Sequence, residues 1–433
     1  MKEYSIDTDG WIFEGKISEV KLSEKFLAKY PFACINGNLY EEDGTPVNED
    51  ELKRGIMKII TPYVSGSAPK RISNIIETMK ITCSCEMPLL QQDNIHFANG
   101  TYLIREDRFS MQKEFTLNRL SVNYNASAPA PKVWLSFLND LLGPDDILTL
   151  QEYMGYCYIP ATRAQKMLLL IGKGGEGKSR IGIVMDSLFG PNLHFGSLAK
   201  LEADRFARAD LVGKLVFFDD DMVMEALTET HIIKTIVTLE GCTDVEVKGK
   251  QSFQAPIYAR LFAAGNGVLS SLHDRSDGFY RRQIIITTKD VPPDRVDDPF
   301  LSEKLIAEKE GIALWCIEGL KRLIKNNYRF TISDKSKKNL EEAREDGNNV
   351  MLFLKSEGYI GFNQTSTIPS TKLYRVYEIW CEENAYKPLS CKTFIGSIKD
   401  IGKAFGISYN NKISAEHGKK VRGFTGIHSM IRT

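Results

Sequence analysis

Apolar positions along the chain come in three kinds of run. Some are short and solid. Met167–Ile171, Leu215–Phe218, Ala259–Ala264 and Gln283–Thr287 each read as a buried strand, and Leu193–Phe195 as a shorter one. Others repeat at helical spacing. Glu49–Ile60 and Lys70–Met79 are amphipathic, and Lys132–Leu142 carries Val133, Trp134, Phe137, Leu138 and Leu141 in register. Ile147–Tyr158 follows a Pro144-Asp145-Asp146 start, and Ile181, Val184, Met185 and Leu188 mark the next helix. Thr230–Leu239, one or two helices in Ser302–Lys325, and Thr371–Glu383 continue the series. Ser336–Gly358 reads as two helices about a hinge at Gly347-Asn348-Asn349, and Ser390 caps a helix running to Phe405. The third kind alternates about a turn: His96–Ile104 about Asn99-Gly100, Glu240–Phe253 about Lys248-Gly249-Lys250, and Ile407–Met430. Ala126–Pro131 and Pro292–Asp298 are proline-bearing breaks, and the first is a candidate domain boundary.

Strands alternating with helices make the middle of the chain α/β. The strand Met167–Ile171 empties into Gly172-Lys173-Gly174-Gly175-Glu176-Gly177-Lys178-Ser179. That is the pattern G-x-x-x-x-G-K-[ST] of a phosphate-binding loop, between a strand and a helix. The glycines permit positive φ, so successive N–H groups can turn onto one anion. The helix N-terminus adds the positive end of its dipole. Lys178 puts a point charge on the β/γ-phosphates of a nucleoside triphosphate, and Ser179 offers a hydroxyl to Mg²⁺.

Further along, other strand tips carry polar residues. Forty-one residues past Lys178, the run Leu215–Phe218 ends in Asp219-Asp220-Asp221. A strand of this kind places one carboxylate on Mg²⁺ and a second as base for the attacking water. Asp219 is assigned to the metal and Asp220 to the base, and Asp221 stays open because three consecutive aspartates leave a one-residue ambiguity. Ala259–Ala264 ends in Gly265-Asn266, and Asn266 can orient the water that faces the γ-phosphate. Arg281 and Arg282 precede the strand Gln283–Thr287. They suit either an ordinary surface or a finger that reaches a neighbouring subunit's nucleotide. Lys248 and Lys250 flank a hairpin tip that is either a solvated turn or a grip on nucleic-acid phosphates.

Composition adds little until it is read locally. Lys+Arg and Asp+Glu number 56 each, so net charge names no polyanionic partner. From Thr371 to Thr433, however, eleven Lys/Arg face five acids. Lys392, Lys399, Lys403, Lys419, Lys420 and Arg422 lie in the last helix and hairpin of that region. They point to duplex backbone contacts, with a protein-binding or plain basic surface as the alternative. The eight cysteines form no C-x-x-C, and only Cys83 and Cys85 are close, as expected of free thiols in a reducing compartment. His96 stands alone beside aromatics and reads as structural. The N-terminus MKEYSIDTDGW has no apolar signal region, and no run approaches the ~20 apolar residues of a membrane span. A cytoplasmic protein with no membrane partner is expected. The first 125 residues show no zinc ribbon and no acidic triad.

In order, these motifs resemble the superfamily 3 helicases of the phage and plasmid type. They are similar to the helicase part of D5-like and P4-type primase–helicases, and to replication helicases of staphylococcal mobile elements. The features that carry the likeness are Gly172–Ser179, Phe206 with Leu211-Val212-Gly213-Lys214, Asp219-Asp220, Leu239-Glu240-Gly241 with Lys248-Gly249-Lys250, Asn266, and Phe279-Tyr280-Arg281-Arg282. It is fullest over about residues 130 to 290. Asp-Asp departs from the Asp-Glu or lone Glu of many relatives. The resemblance implies an AAA+-like, additional-strand P-loop ATPase core at 161–290. Around it are expected an N-terminal α+β domain at 1–125 that binds DNA or a partner, a helical collar at 126–160, a helical linker at 291–350 and a winged helix at 351–433. ATP and Mg²⁺ are the implied cofactors. Asn266 is implied as sensor 1, Lys248 and Lys250 as DNA contacts in a central pore, and Arg281 or Arg282 as a residue acting in trans. The implied assembly is a homo-hexamer on single-stranded and forked DNA in the bacterial host cytoplasm, working with a separate primase or polymerase. Two other readings compete with such a replicative helicase. One is a DNA-binding initiator whose ATPase only drives assembly. The other is a kinase or metabolic P-loop ATPase, which needs neither the lysine hairpin nor the basic C-terminal region.

Overall fold

The computed structural model describes residues 3–222, 227, 229–249, 251–269, 277–346, 349–384, 386, 388–414 and 420–432. The chain forms two compact units. The first runs to residue 336 apart from 224–230 and 268–281, and these two inserts group with 337–433 in the second.

A five-stranded parallel sheet organises the first unit. Its order is Gln283–Thr287, Met167–Ile171, Arg260–Gly265, Val216–Met222, Leu193–Phe195. Every residue of Met167–Ile171 and Arg260–Gly265 is buried. Both faces of such strands are covered, which is why they read as solid apolar runs and not as alternation. The helix Ser179–Phe189 turns Ile181, Val184, Met185 and Leu188 into the same core as Leu168, Leu170, Phe218 and Phe262. Arg260, a buried charge at the start of the central strand, donates to the carbonyls of Ile159 and Ala161 and lies over the Tyr156 ring. Main-chain dipoles therefore replace the water its guanidinium gives up.

Three helices brace this core: Lys132–Leu141, Pro144–Tyr156 and Lys309–Lys325. Two glycines set how closely the last pair approaches. A Cβ on Gly155 would stand 2.1 Å from the Cys316 carbonyl oxygen, and one on Gly319 would stand 2.3 Å from that of Gln151. The pair is also pinned by charge. Glu152, 1% exposed, accepts from Arg322 Nε at 2.6 Å and from Thr331 N at 2.7 Å. The helix Lys132–Leu141 has no side-chain cap of its own. Its first free N–H groups, on Val133 and Trp134, donate instead to the Glu308 carboxylate. Asn125 Nδ2 donates to Glu310, so the proline-bearing stretch 126–131 is tied at both ends.

The first 125 residues feed two separate cores. Tyr4 and Trp11, which precede the first helix, pack with Phe26, Leu52, Ile56, Ile75 and Met79 from the helices Glu19–Lys29, Glu49–Ile60 and Ala68–Thr82. Asn48 caps the second of these, accepting from Asp50 and Glu51 N–H. The strands Asn94–Phe97 and Gly100–Leu103 form the expected hairpin, joined by a third strand, Arg108–Ser110. Their Ile95, Phe97 and Tyr102 belong to the core around the parallel sheet. His96 is buried, and burial with the nearby Arg119 charge pushes its imidazole down to about 4, so it is neutral at pH 7. None of the eight cysteines forms a disulfide. No described helix is long and apolar enough to cross a membrane.

In the second unit, the strands Ile360–Pro369, Lys420–Ser429 and Ser408–Ser414 make an antiparallel sheet in that order. The helices Asn349–Lys355, Ser370–Glu383 and Cys391–Ile401 supply its core, with Tyr377 and Phe394 stacked at 4.4 Å between ring centroids. Ser390 Oγ accepts from Thr393 N, as a cap does. The strand Ile360–Pro369 lies at the sheet edge, with exposed residues along its middle. It therefore shows no period-2 apolar pattern in the sequence. The hinge expected at 347–349 falls largely outside the described residues.

Gly155→Ala separates two opposed effects. A helical Gly→Ala gains about 1 kcal/mol of propensity. Overlap with the Cys316 carbonyl cannot be relieved by a rotamer change and costs about 1–3 kcal/mol or more. We expect a net loss of roughly 1–2 kcal/mol in denaturant unfolding, and a stabilised variant would refute the close-packing account.

Candidate functional site

The C-terminal tips of three adjacent strands meet at one edge of the parallel sheet. Met167–Ile171 delivers the glycine loop 172–179 there, and Gly174, Gly175 and Gly177 all have positive φ. Only glycine adopts such angles freely, and they turn the loop's N–H groups inward. Ser179 is the first residue of the helix that follows. Lys178 is 8% exposed, and its ammonium donates to Glu176 Oε2 at 2.8 Å and to Asn266 Oδ1 at 3.2 Å. Glu176 is 5% exposed. Its carboxylate also accepts from the N–H groups of Lys173 and Gly174. Burial alone would raise this carboxyl. The hydrogen bonds from Lys178 and the loop backbone outweigh that and hold it below the usual glutamate range. Lys173 points outward and pairs with Asp290 at 2.7 Å, both largely exposed.

The strand Val216–Met222 brings up the three aspartates, and its register with Arg260–Gly265 shifts between Asp219 and Met222. A shift of this kind re-aims side chains. Asp220 and Asp221 are exposed and line the same cavity as the glycine loop. Asp219 does not. It is 3% exposed, and its Oδ2 accepts from Leu198 N at 2.7 Å. Burial raises its carboxyl above the ordinary aspartate range. Asp219, the residue expected to hold the metal, thus stands outside the cavity lining, with its carboxylate on the turn into the helix Leu198–Ala203.

The cavity has a volume of about 900 Å³. Gly174 to Ser179, Asp220, Asp221 and Asn266 form one side of it. The other side, not foreseen in the sequence, comes from Val133 and Phe137 and from the stretch 289–301. Phe137 lies 3.4 Å from where a Gly177 Cβ would be. Arg295 Nη1 donates to the Glu176 carbonyl at 3.0 Å, and Nη2 pairs with Asp297. The only sequence signal for this wall was the proline break at 292. Arg282 is not among the lining residues, and its carbonyl accepts from Met167 N at the base of the sheet. Arg281 belongs to the second unit.

The expected hairpin is present. Cys242–Val245 pairs antiparallel with Phe253–Pro256, Gly249 has φ +76°, and Lys248 is exposed at the tip. Lys250 lies outside the described residues. In the second unit Lys392, Lys399, Lys403, Lys420 and Arg422 are all exposed, with Lys399 Nζ 3.6 Å from the Tyr409 ring centroid. Lys419 lies outside the described residues. Among the described residues no group of three or more His, Cys, Asp or Glu is placed to hold a metal by itself.

Comparisons with known proteins match the chain piecewise. The model "D5 N terminal like" matches residues 2–143, "Family of unknown function (DUF5906)" residues 170–282, and "Poxvirus D5 protein-like" residues 345–421. The Holliday junction branch migration complex subunit RuvB of Nostoc punctiforme is 29% identical over 139 residues, 30% of this chain. The chain spans 37% of the length of that curated relative. Among solved structures, an apo form of the NrS-1 C-terminal region matches with a TM-score of 0.54 at 12% identity, covering 95% of this chain and 100% of that one. A second apo structure of that region matches with a TM-score of 0.54 at 13% identity, over 94% and 99%. At such identities the likeness is one of fold.

The placement of Asp219 can be checked by pH. Its folded carboxyl titrates above the unfolded value, so the charged form opposes folding at neutral pH and the penalty fades as pH falls through the raised value. Asp219→Asn removes the charge and keeps an acceptor for Leu198 N–H. We expect it to be at least as stable as the natural chain at pH 7, with the difference shrinking toward pH 4. A variant that is less stable at pH 7 refutes this placement.

Proposed function

We propose, for a chain that belongs to the D5-like family of phage and plasmid primase–helicases, that it is a ring-forming superfamily 3 helicase. It couples ATP hydrolysis to the unwinding of DNA during replication of a phage, prophage or mobile element. One observation carries the reading. Lys178, Ser179, Asp220, Asp221 and Asn266 line a single cavity, in a unit that also presents Lys248 on an exposed hairpin tip.

The cradle fits ATP, because the loop already holds an anionic carboxylate on its own N–H groups and on Lys178. Bound there, Mg²⁺ neutralises charge on the phosphates. The chain's residues do the rest. Lys178 and the N–H groups of Lys173 to Ser179 hold the β- and γ-phosphates, and Gly172 leaves room for them. The Ser179 hydroxyl and one cavity carboxylate hold the metal. The other carboxylate takes a proton from the attacking water, which the Asn266 amide orients. We assign these two roles to Asp220 and Asp221, supported by their place in the cavity lining. Arg281 or Arg282 completes the site of a neighbouring subunit, which requires a ring, and six copies is what the family resemblance implies.

We read residues 161–290 as an AAA+-like core, supported by the single strand, Arg260–Gly265, that stands between Met167–Ile171 and Val216–Met222. Residues 126–160 are read as its collar, 1–125 as a DNA- or partner-binding domain, and 291–350 as a helical linker. Residues 351–433 are read as a winged helix. The helix Cys391–Ile401 followed by a hairpin, with exposed Lys392, Lys399, Lys403, Lys420 and Arg422, supports contact with the duplex backbone. Lys248 and Lys250 grip single-stranded phosphates inside the ring.

Steady-state hydrolysis tests these roles. Lys178→Ala should lower the rate roughly a hundredfold or more. Lys248→Ala with Lys250→Ala should bring the ratio of DNA-stimulated to unstimulated rate down to about one, and an unchanged ratio refutes the hairpin assignment. Arg281→Ala or Arg282→Ala subunits mixed with Lys178→Ala subunits should regain activity that neither has alone. No recovery with either arginine variant counts against action in trans.

A further inference from the structure

Within the loop pattern G-x-x-x-x-G-K-S, position 176 is free to be almost any residue, and here it is glutamate. Its side chain does not point to solvent. Oε1 accepts from the N–H groups of Lys173 and Gly174, and Oε2 accepts from Gly174 N at 3.1 Å and from Lys178 Nζ at 2.8 Å. Two backbone donors and an ammonium around one anion are the donor set the loop offers a phosphate. The fit is close: a Cβ on Gly172 would lie 2.7 Å from Glu176 Oε1. The backbone of Glu176 is held separately, by Arg295 Nη1 on its carbonyl at 3.0 Å. The carboxylate can therefore leave the cradle by rotation of its own side chain while the loop keeps its shape.

We propose that the Glu176 carboxylate is an internal phosphate surrogate, which a nucleotide must displace from the loop before it binds. This inference rests on the nucleotide-site reading above. A carboxylate and a phosphate cannot share these donors, because both are anions competing for the same N–H groups and the same ammonium. Tethered two residues from Lys178, the carboxylate competes at a high local concentration that no solution anion matches. It therefore sets a threshold on charge. A polyphosphate has several charges and further oxygens to engage the rest of the loop, and it wins. A group with a single phosphate gains little over the carboxylate it expels. Glu176 thus determines which phosphate ligands the loop accepts, and keeps Lys178 neutralised between turnovers.

Calorimetric titration of Mg·ATP and of inorganic pyrophosphate into the natural chain, Glu176→Gln, Glu176→Ala and Lys178→Ala tests this. Glu176→Gln and Glu176→Ala should each bind Mg·ATP about tenfold more tightly, ~1.4 kcal/mol, and gain at least as much for pyrophosphate. Without ligand both should melt below the natural chain, because Lys178 loses its charged partner. Their rise in Tm on saturation with Mg·ATP should be larger than that of the natural chain. Equal or weaker Mg·ATP binding in both Glu176 variants, with Lys178→Ala still abolishing binding, overturns the surrogate and leaves the nucleotide site standing. If the natural chain binds Mg·ATP no better than Lys178→Ala does, the nucleotide-site reading fails, and the surrogate with it.

Discussion

A sheet buried on both faces can place polar chemistry only at the ends of its strands, and the site depends on that constraint. Along Met167–Ile171 and Arg260–Gly265 every residue is buried, so neither strand can carry a reactive group along its length without a large desolvation cost. Polar side chains collect at the tips. In parallel strands all the C-terminal tips lie at one edge, and so the glycine loop, Asp220, Asp221 and Asn266 meet although they are far apart in sequence. Lys178 is the most constrained member. It is nearly buried, and its ammonium is shared between Glu176 and Asn266, which links the loop of one strand to the tip of the next.

The helices behind the sheet hold that edge in place. Backbone contact at Gly155 and Gly319, and the Glu152 carboxylate on Arg322 and Thr331, fix Pro144–Tyr156 against Lys309–Lys325. The hydroxyl of Tyr153 donates to the Leu261 carbonyl inside the central strand. Glu308, at the start of Lys309–Lys325, caps the helix that brings Phe137 to the cavity. The site is thus backed by buried strands on the sheet side and built from a longer, more exposed stretch, 289–301, on the other.

Much of this was legible in the sequence because the signals are local. The order of glycines before Lys178 dictates a backbone shape, and a solid apolar run ending in acids or in Gly-Asn dictates a strand tip. What the sequence hid is non-local. Asp219 and Asp220 are adjacent and chemically identical, and the alternation of side chains along the strand turns one toward Leu198 and leaves the other facing the cavity. Glu176 sits in a position whose residue type the motif leaves open. The strand Ile360–Pro369 is an edge strand exposed along its middle and lacks the alternation that betrays strands. The hairpin at 94–103 reads as part of an N-terminal domain, yet it packs with the parallel sheet, because Ile95, Phe97 and Tyr102 find their apolar partners there. Charge followed the same division. A neutral total concealed a C-terminal region in which Lys392, Lys399, Lys403, Lys412, Lys420 and Arg422 are exposed.

In the function proposed above, hydrolysis at the 172–179 loop moves this chain along DNA. Strand displacement on duplexes with 3′ or 5′ single-stranded tails, with ATP and with a non-hydrolysable analogue, measures that directly. We predict release of the displaced strand from one tail polarity with ATP, and none with the analogue. DNA-stimulated ATP hydrolysis without release from either substrate would contradict it.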